Sequence, residues 1–265
     1  MPPQFQQGAA WAVRLKPVQP YEEPFFWWGP GWSHPAGVDA GWLIAQGVVT
    51  AEAMAVLSVL ISHRSSCIVA AGPSGAGKTT LLTSLLAFLP RDTRLVYLRG
   101  SYESFEFVRE TNPATTTLLV NELSPHLPVY LWGQGARTAF ELALRGYQLL
   151  ATAHATSIED LIYQLASYPV CLPSSTIAAT RIVVLLDAWS DGGAVRRQVR
   201  TIAWLQAAKH AAGLTVHPLA VRENLESPLV VDHNAAVSLF AELGGSAASY
   251  AEHLSQRMTD LTRNR

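Results

Sequence analysis

Short apolar runs recur along this chain, at CIVAA (67–71), RLVYL (94–98), TTTLLVN (115–121), YQLLATA (147–153) and RIVVLLD (181–187). Stretches with helical spacing lie among them. AEAMAVLSVLISH puts Met54, Leu57, Leu60 and Ile61 on one face, with Thr50 placed to cap the helix and Glu52 in its first turn. KTTLLTSLLAFL repeats the pattern with Leu81, Leu82, Leu85, Leu86 and Leu89, and Pro90 stops it. RTAFELALRG and SIEDLIYQLA separate later runs. Short apolar strands alternating with helices predict an α/β fold, a mainly parallel twisted sheet with helices on both faces. VRRQVRTIAWL (195–205) reads as an added strand paired with 181–187 across the Ser-Asp-Gly-Gly turn at 190–193. A final helix gathers Tyr250, Leu254, Met258 and Leu261 on one side.

Regularity begins near Val38. Residues 1–37 are rich in Pro, Gln, Gly and aromatics, and PFFWWGPGW (24–32) holds three of the eight tryptophans. Pro and Gly forbid regular structure there, so an irregular arm packed over the domain is expected, with a docking patch as the other reading. The division is thus an arm (1–37), a core (38–210) and a small helical tail (211–265). With 265 residues, 49% of them hydrophobic, the chain can bury one sizeable core. A net charge of -1 argues against a nucleic-acid partner, despite the cluster Arg196, Arg197 and Arg200. Cys67 and Cys171 form no disulfide framework, which fits a reducing compartment. No apolar run reaches the ~20 residues that cross a bilayer, and the start lacks a secretory pattern, so a cytoplasmic protein is expected.

The chemistry concentrates at GPSGAGKTT, residues 72–80, directly after the first apolar run. Gly72, Gly77, Lys78 and Thr79 fill the pattern G-x-x-x-x-G-K-[ST]. Gly75 and Gly77 allow positive φ, so successive amides turn inward as an anion nest, and the helix opening at Lys78 adds partial positive charge. Gly72, Pro73, Ser74, Gly75, Ala76, Gly77, Lys78, Thr79 and Thr80 are therefore expected to hold ATP, with Lys78 on the β- and γ-phosphates and Thr79 on Mg2+. Phosphoryl transfer to water also requires a carboxylate at a neighbouring strand tip. LLVNE supplies Glu122, preceded by Asn121, which brings no charge. His154 closes the strand YQLLATA, at the same sheet edge as the loop, where it could touch the γ-phosphate or serve only structure.

With these residues in place, the chain resembles the secretion-superfamily ATPases of type II and type IV secretion, type IV pili and the archaeal flagellum. LIAQGVVTAEAMAVLSVLISHRSSCIVAAGPSGAGKTTLL resembles their helix-strand-loop unit, TAHATS (152–157) their histidine box, and VRRQVRTIAWL their arginine-bearing late strand. The resemblance runs from about residue 38 to the end. It implies a RecA-like P-loop core, Glu122 in the Walker B position as water activator and metal ligand, and His154 in the histidine box. In VYLRGSYE, Glu103 matches the last acid of the family's acidic box, and Arg99 and Gly100 replace the first two. SPHLPVYLWGQG lengthens the segment after Glu122, which leaves Arg137 as candidate for the arginine that usually follows. The sizeable N-terminal domain of the family has no counterpart here.

The resemblance implies an ATP-driven motor subunit at the inner face of a membrane, a homo-oligomer in a hexameric ring that moves an integral-membrane platform protein. Arg196, Arg197 or Arg200 would then meet a neighbour's phosphates or lie on a solvated face. The alternative is a nucleotide-binding assembly or regulatory subunit with weak or no hydrolysis, motivated by Asn121, the altered acidic box and the missing domain. A small-molecule kinase would need an acceptor pocket and lid, for which the sequence offers no candidate.

Overall fold

A computed structural model describes residues 22–24, 28, 38–72, 74–208 and 213–263. In chain order the elements are α1 (Ala40–Ala45), α2 (Ala51–Ser62), β1 (Cys67–Ala71), α3 (Lys78–Leu85), β2 (Arg94–Tyr97), β3 (Thr116–Leu123), α4 (Gln134–Leu144), β4 (Gln148–His154), α5 (Ile158–Ala166), α6 (Ser174–Ile177), β5 (Ile182–Asp191), β6 (Ala194–Ala207), β7 (Leu214–Val221), β8 (Val230–Val231), α7 (His233–Glu242) and α8 (Ala247–Arg263). All eight strands share one sheet, ordered β2-β3-β4-β1-β5-β6-β7-β8. From β2 to β5 every neighbouring pair is parallel, and from β5 to β8 every pair is antiparallel.

Alternation along each strand builds two cores. Cys67, Val69 and Ala71 of β1 join one apolar cluster, with Val184 of β5, Leu57 and Leu60 of α2, and Phe240 of α7. Ile68 and Ala70 join the other, with Ala151 of β4, Phe140 of α4 and Leu165 of α5. Both sheet faces are dry, which is why the parallel strands read as unbroken apolar runs. Cys67 is fully buried at the start of β1, and burial pushes its thiol pKa up.

Helix α2 departs from the one-faced pattern the sequence suggested. Thr50 caps it as expected, accepting from the Ala53 amide at 3.2 Å. Yet every residue from Ala53 to Ile61 is buried, because α8 covers the side turned away from the sheet. At its C-terminal end Gln148 of β4 donates to the carbonyls of Ile61 (3.1 Å) and Ser65 (2.9 Å) and accepts from Thr117 (2.7 Å). One buried amide thereby ties the last turn of α2 and the residue leading into β1 to β4, with its own polar groups satisfied.

Residues 214–231 add β7 and β8 to the sheet before the two final helices, where a wholly helical tail was expected. Pro218 hid this strand, since proline cannot donate to a ladder. It sits opposite Ala203, where the β6–β7 register shifts, so the missing donor is tolerated. The aromatic stretch 24–32 lies outside the described residues apart from Pro24 and Trp28, and Trp28 is buried edge-on against Tyr97, 5.3 Å between ring centres. Among the described residues no helix is long and apolar enough to cross a membrane.

Candidate functional site: a phosphate loop and the groups around it

Strands β3, β4 and β1 are neighbours and parallel, so their C-terminal ends share one edge of the sheet. The loop after β1 turns there into α3. Gly75 and Gly77 adopt φ +73° and +88°, as their residue type anticipated, and α3 begins at Lys78. No side chain caps that helix, which leaves the amides of its first turn facing a cleft of about 640 Å³. Ser74 to Thr80 form one wall of the cleft. Gly72 fits only because it lacks a side chain: a Cβ would come within 2.9 Å of the Thr156 methyl in the loop after β4. Pro73 lies outside the described residues.

Glu122 reaches the same cleft through an irregularity. Val120 pairs with Ala151 and Leu123 with Ala153, so Asn121 and Glu122 together oppose the single residue Thr152. Such a bulge re-aims side chains. Consecutive residues of a regular strand point to opposite faces, but here Asn121 and Glu122 both line the cleft. Thr152 Oγ1 lies 2.8 Å from Glu122 Oε2 and also within hydrogen-bonding reach of the Asn121 carbonyl. Glu122 Oε1 stands 3.3 Å from Lys78 Nζ, with side-chain exposures of 13% and 11%. That oxygen has no hydrogen bond of good geometry. A buried, under-satisfied carboxylate oxygen beside the lysine, across from the Thr79 side of the loop, is the donor set a hard divalent cation takes. Thr79 and Glu122 therefore suit Mg2+ arriving with a nucleotide. Among the described residues no group of three or more His, Cys, Asp or Glu side chains gathers as a standing metal site.

His154 ends β4 opposite Ala71, the last residue of β1. Its main-chain carbonyl accepts from Gln164 (3.0 Å), which also donates to Asp160 (2.9 Å). Asp160 in turn accepts from the Thr156 amide (2.8 Å) and hydroxyl (3.1 Å), and these hydrogen bonds, led by that from Gln164, hold its pKa below the usual carboxylate value. Burial, followed by the nearby charges of His126 and Lys78, lowers the pKa of His154 and favours the neutral ring. His154 thus stands at the same sheet edge as Lys78 and Glu122 without lining the cleft itself.

Glu103 and Arg137 stand away from the cleft, whereas Arg196 and Arg197 line it. Glu103 accepts from the amides of Arg99 (2.8 Å) and Phe105 (2.7 Å). Its carboxylate, matched by the resemblance to a catalytic acid, staples its own loop and does not line the cleft. Arg137 donates to the Val170 carbonyl at 3.1 Å and likewise stands off the cleft. The three late arginines engage their own chain: Arg196 pairs with Asp191 (3.2 Å), Arg197 donates to the Gly75 carbonyl (2.8 Å), and Arg200 to the Thr156 carbonyl (2.8 Å).

Three site groups were not foreseen. The excursion after Glu122 folds back on the strand it leaves, with the Leu131 amide donating to the Glu122 carbonyl at 3.1 Å. It brings Tyr130 into the cleft, where burial and then the Glu122 charge raise the phenol pKa. It also sets His126 edge-on against His154, 4.5 Å between ring centres. The third is Trp42 of α1, 42% exposed on the apolar side of the cleft beside Leu43 and Val48. A flat, partly exposed indole near a phosphate loop suits a nucleotide base. Saturating ADP is expected to quench Trp42 emission, and Trp42→Phe should remove most of the ligand-induced change. An unchanged signal from Trp42→Phe would place the base elsewhere.

The excursion also requires glycine at position 100. Gly100 holds φ +61°, and a Cβ there would lie 1.7 Å from the Val129 carbonyl oxygen. Gly100→Ala is therefore expected to destabilise the protein by roughly 1–3 kcal/mol, from a strained φ and a backbone collision. Denaturant unfolding checks this, and a midpoint equal to wild type would refute the close approach.

The fold and this edge define a mixed α/β protein of the P-loop class. No protein-family model matches the chain. An uncharacterized protein of Methanocaldococcus jannaschii is 29% identical over 150 residues, which are 49% of this chain and 55% of that one. Among solved structures, the VirB11 ATPase from the Brucella suis type IV secretion system, crystallised with sulphate, aligns with a TM-score of 0.39 at 22% identity over 58% of this chain and 52% of that chain. The Legionella pneumophila ATPase DotB aligns with a TM-score of 0.34 at 16% identity, over 58% and 50% of the two chains. The chain thus spans about half the length of the relatives it matches.

Proposed function

We propose that this chain is an ATP-hydrolysing motor subunit of a type II or type IV secretion or type IV pilus-like system. The observation that carries the reading is the shared rim: Glu122 reaches Lys78 across the sheet edge at 3.3 Å, beside the loop whose amides face the cleft. The loop amides and Lys78 bind the β- and γ-phosphates of ATP. Mg2+ held by Thr79 and Glu122 supplies charge neutralisation at the phosphates. Glu122 accepts the proton of the attacking water, and Thr152 fixes the carboxylate by occupying its other oxygen. Neutral His154, within the same field, hydrogen-bonds the terminal phosphate and loses that partner after hydrolysis. Hydrolysis performs mechanical work only if the ATP and ADP states favour different subunit arrangements. The histidine box and late strand point to a ring, a hexamer by the family resemblance. The ring would lie in the cytoplasm at the inner face of the membrane and drive an integral-membrane platform protein.

A second reading, a nucleotide-binding assembly or regulatory subunit with weak or no hydrolysis, is favoured by Glu103, whose carboxylate is occupied by its own loop. Steady-state phosphate release with Mg-ATP separates the two. Turnover well above that of Lys78→Ala, rising with protein concentration as a ring assembles, supports the motor. Nucleotide binding with turnover equal to Lys78→Ala supports the assembly subunit.

A further inference from the structure

The hairpin of β5 and β6 outruns the rest of the sheet. β5 pairs with β1 only from Ile182 to Leu185, and β6 pairs with β7 only from Thr201 onward. Beyond a buried root at Leu186, Gln198 and Val199, Ala188–Asp191 and Ala194–Arg197 pair only with each other and form a two-stranded ribbon past the edge that carries the phosphate loop. At its root Leu185 faces Thr201 and Leu186 faces Val199, so Arg200 is an extra residue that bends the ribbon. Arg200 fixes the bend by donating to the Thr156 carbonyl (2.8 Å) and pairing with Asp187 (3.5 Å). One turn along, Arg197 Nε donates to the Gly75 carbonyl at 2.8 Å, and its side chain passes so close that a Cβ on Gly77 would lie 3.2 Å from Arg197 Cδ.

Charge sets Arg197 apart. Arg196 is paired with Asp191 and Arg200 with Asp187, and Lys78 is paired with Glu122. The hydrogen bonds of Arg197 go to two main-chain carbonyls, Gly75 and Val195, and among the described residues no carboxylate pairs with it. A guanidinium so placed on a cleft wall beside an amide nest is an unneutralised cation aimed at an anion site.

We infer that Arg197 binds the polyphosphate of the nucleotide held by its own chain, with the β5–β6 ribbon acting as the arm that delivers it. The Gly75 carbonyl holds the guanidinium beside the loop, from where it reaches the β- or γ-phosphate of the nucleotide. This inference rests on the nucleotide-binding reading of the cleft. It also places a phosphate-binding arginine within the subunit, whereas a neighbour in a ring would supply one across an interface.

Titration of the full chain with a non-hydrolysable ATP analogue and with ADP, both with Mg2+, tests it. Arg197→Ala is expected to weaken both roughly tenfold or more, and Arg197→Lys to regain part of the loss. The unfolding midpoint should stay unchanged, because Arg197 is exposed. Mixing Arg197→Ala chains with Lys78→Ala chains then separates cis from trans. Binding equal to the sum of the two components supports action within the chain, whereas recovery above that sum shows that one chain's arginine completes another's loop and overturns the inference. Equal affinity in wild type and Arg197→Ala also overturns it. If wild type binds no better than Lys78→Ala, the nucleotide reading itself fails and takes this with it.

Discussion

Lys78→Ala is expected to lower ATP turnover by about 100-fold or more, on the order of 3 kcal/mol of transition-state stabilisation. The ammonium is the one side-chain cation that both opens α3 and faces Glu122 across the cleft, so no neighbour can replace it at that point. Its removal has a second consequence. Glu122 Oε1 loses the one ion-pair partner it has among the described residues while remaining largely buried, at 13% exposure. Removing one half of such a pair destabilises the fold, here by roughly 1–3 kcal/mol because water in the cleft can approach the carboxylate. The double variant Lys78→Ala/Glu122→Gln should recover part of that stability without recovering activity, since no stranded charge remains. Thermal unfolding and phosphate release, measured on all three variants, check both parts. A double variant no more stable than Lys78→Ala would show that the ion pair contributes nothing.

Glu122→Gln is expected to separate binding from chemistry. Its amide oxygen can still accept from Thr152, now at 2.8 Å from the carboxylate, so the bulge should hold its shape. Lys78 loses a competing anion and becomes more available to phosphate. Affinity for ATP should therefore hold or rise, whereas hydrolysis should fall by about 100- to 10,000-fold, the range associated with losing a positioned general base. Trapped ATP after gel filtration, with phosphate release near background, is the expected observation. Wild-type turnover in Glu122→Gln would remove the carboxylate from the mechanism.

Much of this edge was legible from residue order because parallel strands oblige it. Once CIVAA, LLVNE and YQLLATAH are read as parallel neighbours, their ends share a side of the sheet, and Lys78, Glu122 and His154 follow. The ring pairing of His126 with His154 and the arrival of Tyr130 were not legible. Both depend on how an irregular excursion folds back, and its hydrophobic pattern carries no period. The bulge at Asn121 and Glu122 was equally hidden, since it is a mismatch of register between two strands and not a property of either. The surroundings of Glu103 were hidden for a related reason. The resemblance matched it to the last acid of an acidic box, and the amides of Arg99 and Phe105 turn inward in that loop and claim its oxygens. In the fold, β7 carries Pro218 inside a strand, which a shift in pairing makes possible. The burial of α2 on all sides from Ala53 to Ile61 became intelligible only with α8 lying across it.

The contact between Gly100 and the Val129 carbonyl makes two designs mutually exclusive. A side chain at position 100, acidic or otherwise, and the looped segment that brings Tyr130 and His126 compete for the same few cubic ångströms. Anyone wishing to equip this edge of the sheet with an additional carboxylate at that position must first excise the loop, and with it the phenol and the second imidazole. The two sets of side chains are alternatives that one backbone cannot accommodate together.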